Sequence, residues 1–316
     1  MNVILARRIF CSSLIACWLP FSSMATAPLQ IKITSQEQSQ QFSYLFHYQN
    51  KLERLQFSLS NLTVAEHFRQ FRRYQPTYIQ QYIWRDLQQH AASYPGIKLQ
   101  RLNALSALRY QIKGQDPELI KQLSNELTAL ATEREAHYLA QMYYTQFRFA
   151  YGQPSIIPDH VRIVLDSLTD LAPVASAIKQ QQPDLTPRQM LAYISNWLQQ
   201  IPYQDLTDRQ HSSGSSFNVP LKLLAENRGD CDSKAVLLAT LIKIMFPKIK
   251  LAFIYPPNHA LLAVAIKPKD EDETALIAGQ LYVLVDATGP AQLQVGKISS
   301  EYKTYIQNGP SDYRVF

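Results

Sequence analysis

Only three cysteines occur in 316 residues, Cys11, Cys17 and Cys231, which rules out a multi-cysteine metal site. Glycine is scarce too, with 9 residues, so few strained turns and a good deal of helix are expected. The charged share is low, 18%, and much of the remaining polarity is Gln, Ser and Thr. Beyond the N-terminus no apolar run is long enough to cross a bilayer. No nucleic-acid motif is present, and the densest basic cluster, Arg69, Arg72 and Arg73, reads as one solvated helix face. What the chain does have is a hydrophobic share of 46%, enough for a real core, over a length that suits one large or two modest domains.

Residues 1–27 have the layout of an export signal. Arg7-Arg8 is a basic start, Ile9 to Phe21 is apolar, and Ser23-Met24-Ala25-Thr26-Ala27 offers small residues for cleavage. Leu14-Ile15-Ala16-Cys17 also resembles a lipobox, which would lipidate Cys17 and tether the protein to a membrane. The apolar Trp18-Leu19-Pro20-Phe21 that follows favours ordinary cleavage instead, giving a periplasmic or secreted protein. Without Arg7 and Arg8 the chain keeps 29 Lys+Arg against 25 Asp+Glu, a mild and diffuse basic excess. The exported chain then carries one thiol, Cys231, in an oxidising compartment with no partner: intermolecular, inert or reactive.

The hydrophobic pattern divides the rest. Phe42, Tyr44, Phe46 and Tyr48 alternate, as do Leu55, Phe57 and Leu59, with Asn50-Lys51 between, predicting a β-hairpin. Val64, Phe68, Phe71, Tyr78, Tyr82 and Leu87 fit a helix interrupted at Pro76, and residues 99–113 a further helical piece. Residues 117–149 give the longest helical pattern, starting at Pro117 with the stripe Ile120, Leu123, Leu127 and Leu130 and continuing through Tyr138, Met142, Tyr143 and Phe147. A loop at Gly152-Gln153-Pro154 and Pro158-Asp159 is taken as the boundary between a β-hairpin-plus-helix region, 28–150, and a second domain, 151–316. There, residues 159–180 are expected to be helical, Thr186-Pro187 caps a helix to Gln200, and Pro220 to Ala225 is a short helix. Ser212 to Ser216 is a flexible tip. After Pro247 the period switches to strands, at Lys250–Tyr255, His259–Ile266 and Gln280–Asp286, so the fold class is α+β.

One stretch organises this second domain: Asn227-Arg228-Gly229-Asp230-Cys231-Asp232-Ser233-Lys234-Ala235, running into an apolar helix that ends before Pro247. Gly229 is expected to supply a turn and Asp230 the N-cap. Cys231 then lies in the first turn, where free N–H groups and the helix dipole favour a thiolate. Asp230 and Asp232 oppose it, so a cationic partner is needed to tip the balance.

His259 and Asp286 are the candidates to activate it. If their strands pair as a hairpin with His259 opposite Thr288, Asp286 is the diagonal neighbour of His259 on the same face. A slip of one residue would separate them. The roles are then thiolate nucleophile for Cys231, proton shuttle for His259 and tautomer-fixing carboxylate for Asp286. The blander alternatives are a core thiol, a structural histidine and a strand-end cap. The polar flanks of Cys231 argue against the first, and no other carboxylate lies at that end of the hairpin. Asp270, Glu271, Asp272 and Glu273 read as a solvated tip, His211 with Asp205 and Asp208 as turn residues, and His160 as a feature of a helix N-terminus.

The run Arg228-Gly229-Asp230-Cys231-Asp232, the apolar helix, Asn258-His259-Ala260 on a strand and Tyr282-Val283-Leu284-Val285-Asp286-Ala287-Thr288 together resemble the transglutaminase-like superfamily. The likeness is closest to its bacterial cysteine proteases, over roughly residues 188–290, with Trp197 to Tyr203 and Phe217 to Leu224 as the upstream part. The resemblance implies a papain-like core, a buried helix packed on an antiparallel sheet. It also implies a Cys231, His259, Asp286 triad and no cofactor or metal for the chemistry, although some members are calcium-regulated. Many members carry Trp before the catalytic Cys where this chain has Phe217, which leaves the oxyanion donors to the backbone N–H of Cys231. The expected activity is hydrolysis of amide bonds in an envelope protein or peptide substrate. The alternatives are amide transfer (cross-linking) and an idle fold acting as a binding or scaffold protein, with residues 28–150 engaging a protein partner.

Overall fold

The computed structural model describes residues 29–102, 108–149, 154–207, 216–308 and 312–316. The expected leader with Cys11 and Cys17, the pair Gly152-Gln153, most of the serine-rich tip, Asp208 and His211 lie outside the described residues.

The chain opens with three antiparallel strands, β1 (Gln30–Ser35), β2 (Ser39–Tyr48) and β3 (Lys51–Ser60). The β2–β3 hairpin forms where the alternation places it, but it turns at Gln49-Asn50, both at positive φ. A short helix α1 (Asn61–Glu66) follows, N-capped by Ser60. The single interrupted helix expected over 63–87 is instead two, because Phe68 sits at φ 48° and helix resumes only at α2 (Pro76–Ala91). Ile79, Ile83 and Leu87 form its buried stripe, while Tyr78 and Tyr82 are exposed. The described residues of 99–113 are not helical: β4 (Lys98–Leu102) and β5 (Arg109–Lys113) pair antiparallel. The long helix α3 (Pro117–Gln141), capped by Asp116, packs on α2. It stops short of the expected end because Tyr143 takes φ 59° and the chain turns into β6 (Tyr144–Arg148), which pairs with β7 (Pro154–Pro158).

The 159–180 helix is broken at Ser167 into α4 (His160–Asp166) and α5 (Leu168–Gln181). Then come α6 (Pro187–Gln200), with Thr186 and Gln189 forming a capping box, α7 (Pro220–Glu226) and α8 (Cys231–Met245). The remaining elements are β8 (Leu251–Ile254), β9 (Leu261–Val264), β10 (Thr274–Ile277), β11 (Gln280–Val285), α9 (Ser300–Asn308) and β12 (Tyr313–Val315). β8 to β12 form an antiparallel sheet in the order β10-β11-β9-β8-β12. The sheet elements missed by the sequence reading are β10 and β12, so β9 and β11 are adjacent strands but not a simple hairpin: β10 folds back between them in the chain.

The sheet explains its own apolar strands, because both faces are covered. Phe253, Leu262, Val264, Val283 and Val285 face α8, and Ile254, Leu261, Tyr282 and Leu284 lie under Ile298, Tyr302 and Ile306. α8 is buried nearly all round, from Ser233 to Ile242. Its outer side is closed by α5, α6 and the first sheet, whose Phe42, Tyr44, Phe46, Leu55, Phe57 and Leu59 belong to the same core. Tyr44 sets its ring edge on Trp197 at 5.1 Å and donates to Leu224 O at 2.8 Å. Gln200 pairs with both backbone groups of His47, at 3.0 and 2.8 Å. The expected boundary at 150/151 therefore falls between two paired strands, and the first sheet shares the core of the elements beyond it. A separate apolar cluster joins α2, α3 and the β4–β5 hairpin. Among the described residues no helix is long and apolar enough to cross a membrane.

Candidate active site

The site is built where the N-terminus of α8 meets one end of the large sheet. α7 ends at Asn227, at φ 50°, and the next residues make a single parallel bridge between Tyr203 and Gly229. Gly229 does not supply a left-handed turn. Its role is close approach: a Cβ there would lie 2.8 Å from Leu223 Cδ1. Asp230 is the N-cap, accepting from Ser233 N at 3.1 Å, with a further bond from the Ser233 hydroxyl. Cys231 is the first helical residue and is half-buried. No carbonyl lies four residues back for its N–H, as at any helix start.

His259 lies in the turn between β8 and β9 rather than on the strand, with Asn258 at φ 56° and His259 N donating to Pro256 O at 3.1 Å. Asp286 follows the last residue of β11. Val285 opposes Leu262, so Asp286 leaves the ladder at the end where β9 begins. His259 Nε2 is 3.1 Å from Asp286 Oδ2, and Thr288 N donates to Asp286 Oδ1 at 2.9 Å. The imidazole stacks on Tyr302, centroids 4.4 Å apart and planes 9° from parallel. Asp286 is buried, which raises its carboxyl, but the His259 contact and the Thr288 bonds outweigh burial and hold it below the usual range. With Nε2 committed to Asp286, Nδ1 is the ring nitrogen left for a thiol.

Cys231 and His259 line one cleft of about 290 Å³, together with Asp230, Asp232, His160 and Tyr255, under apolar walls from Phe149, Ile157 and Pro256. The Ala260 N–H is directed at the sulfur and favours its ionised form. Burial, then Asp232 and Asp230, push the other way, so the thiol is raised well above its ordinary range. Asp230 is raised too, by burial and by Asp232 beside it, and burial raises Asp232.

Three contributors were not read from the sequence as part of the site, although His160 does stand at a helix N-terminus as expected. His160, which begins α4, is buried and bridges Tyr255 OH, 2.9 Å from Nδ1, and Asp232 Oδ2, 3.1 Å from Nε2. Burial lowers its pKa to about 4. Tyr302 comes from a helix not foreseen. Lys234, one turn along from Cys231, is fully buried and donates to Ile201 O at 2.6 Å and to Thr288 O. Its signal was present, a lone charge opening an apolar run, whereas nothing in the local sequence links His160 to a thiol 71 positions away. Phe217 is buried against His160, ring centroids 5.4 Å apart. Asp205 accepts from Thr207 N at 3.3 Å, and Asp272 pairs with Arg188 instead of lying free in solvent. No family model, curated protein or solved structure matches the chain.

Proposed function

We propose that the protein is a thiol hydrolase of amide bonds, with Cys231 as nucleophile, His259 as proton shuttle and Asp286 fixing the ring. The observation that carries this is the 3.1 Å His259–Asp286 contact beside a cysteine at a helix start, with both Cys231 and His259 lining one cleft. The resemblance to transglutaminase-like cysteine proteases picks the same three residues and supports a papain-like arrangement of helix and sheet. At rest the thiol keeps its proton. As Sγ attacks a carbonyl carbon, Nδ1 of His259 accepts that proton, and the imidazolium is stabilised by Asp286. Developing charge on the carbonyl oxygen meets the Cys231 N–H at the positive end of α8. His259 then protonates the leaving amine, and water, deprotonated by the same ring, releases the acid and regenerates the thiol. The leader-like pattern of residues 1–27 supports a site of action outside the cytoplasm, and the proposed substrates are proteins or peptides there.

Turnover of envelope proteins and peptides by wild type and Cys231→Ala tests this. Loss of turnover in the variant is expected, and equal turnover by the two would sink the proposal. A primary amine added to the same assay distinguishes transfer, through isopeptide products seen by mass spectrometry. One observation favours a second reading, an idle fold that binds a partner: burial, and then the two carboxylates beside Cys231, raise its thiol above the ordinary range.

A further inference from the structure

We infer that Lys234 is a positioning residue for this site: its buried ammonium is the fixed cation that ties the Cys231 helix to the Asp286 loop and offsets the carboxylates around the sulfur. The inference rests on Cys231 being the nucleophile of the proposed hydrolase.

Cys231 alone faces an unfavourable balance. Asp230 and Asp232 flank it, and Asp286 lies behind His259. The Lys234 ammonium answers from the same helix, one turn along, where it feels Asp286, Asp230 and Cys231 together. Its hydrogen bonds make it a strut as well. Nζ donates to Ile201 O, at the end of α6, and to Thr288 O; Thr288 N in turn donates to Asp286, which holds His259. One side chain thus links the helix that carries the nucleophile to the loop that carries the acid, through two further bonds to the imidazole.

Two carbonyls alone do not require a lysine, because a neutral amide also donates twice. What the lysine adds is charge. Burial draws its pKa down to about 8, and the nearby carboxylates keep it from falling further, so it stays largely protonated at neutral pH. The other titratable groups around the sulfur are Asp230, Asp232, His259, His160, Tyr203, Tyr255 and Tyr302. They supply negative or neutral groups and two imidazoles; at neutral pH Lys234 is the cation of the set.

The test is the rate of iodoacetamide labelling of Cys231 against pH in the full chain. Lys234→Gln removes the charge and keeps an amide with two donors. The expected result is roughly tenfold slower labelling at neutral pH, where Lys234 carries its charge, with Lys234→Arg restoring the rate. A Lys234→Gln protein that folds and labels at the wild-type rate at neutral pH overturns the inference, since a purely structural strut would change stability without changing that rate. If the variants do not fold, the Lys234 Cε shift is titrated by NMR in wild type. A midpoint above pH 7 is expected, and a lysine already neutral at pH 7 overturns the inference. Labelling does not depend on turnover: an inactive protein that shows the Lys234 effect fails as a hydrolase while keeping this electrostatic link.

Discussion

At the scale of single residues, the site is a balance of buried charges. Burial and mutual repulsion raise Asp230, burial and the two carboxylates raise Cys231, and the Ala260 N–H pulls the thiol the other way. His160 closes the far side, neutral between Tyr255 and Asp232. Its pKa lies below the value of an exposed histidine, so the unfolded chain binds a proton that the folded chain refuses. Stability from a neutral His160 is therefore complete above about pH 6.5 and is lost as pH falls towards its folded value of about 4, amounting to about 3 kcal/mol. Denaturant unfolding at pH 7 and pH 5 checks this. Wild type is expected to lose stability over that interval, and His160→Gln to lose distinctly less; equal losses count against it.

At the scale of elements, local chemistry decided what could be read in advance. α6 was legible because Thr186-Pro187 fixes its start, and α8 because Asp230 caps it and Pro247 follows its end. The β2–β3 hairpin was legible from strict alternation. Residues 99–113 were misread because spacings such as Leu99 to Leu102 suit a helix as well as a hairpin, and pairing partners decide between them. Tyr143 at φ 59° ended α3 without a glycine or proline to announce it. Of the site, Cys231, His259 and Asp286 were legible because an unpartnered thiol invites the search for a base. His160 and Tyr302 were not, since their contacts exist only after the chain has folded. The loop after β11 gives an element-scale prediction. Gln199 Nε2 donates to Asp286 O at 2.6 Å, and a Cβ on Gly289, at φ 68°, would lie 2.0 Å from Gln199 O. Gly289→Ala should cost about 2 kcal/mol or more and displace Asp286. A denaturation midpoint equal to wild type would show that the loop is not held as described.

At the scale of the whole molecule, the proposed function depends on two layers meeting. The helix layer supplies Cys231, the segments at one end of the sheet supply His259 and Asp286, and the core between them includes the first sheet. Residues 30–60 are in this sense part of the frame of the site, which a boundary at 150/151 would hide. The measurement that tests the meeting most directly is the pH profile of Cys231 alkylation in wild type and in His259→Ala. An imidazole that takes the thiol proton predicts several-fold slower labelling near pH 7 in the variant than in wild type, with the variant's inflection shifted upward. Superimposable profiles would contradict the account, because the sulfur would then be indifferent to the ring beside it.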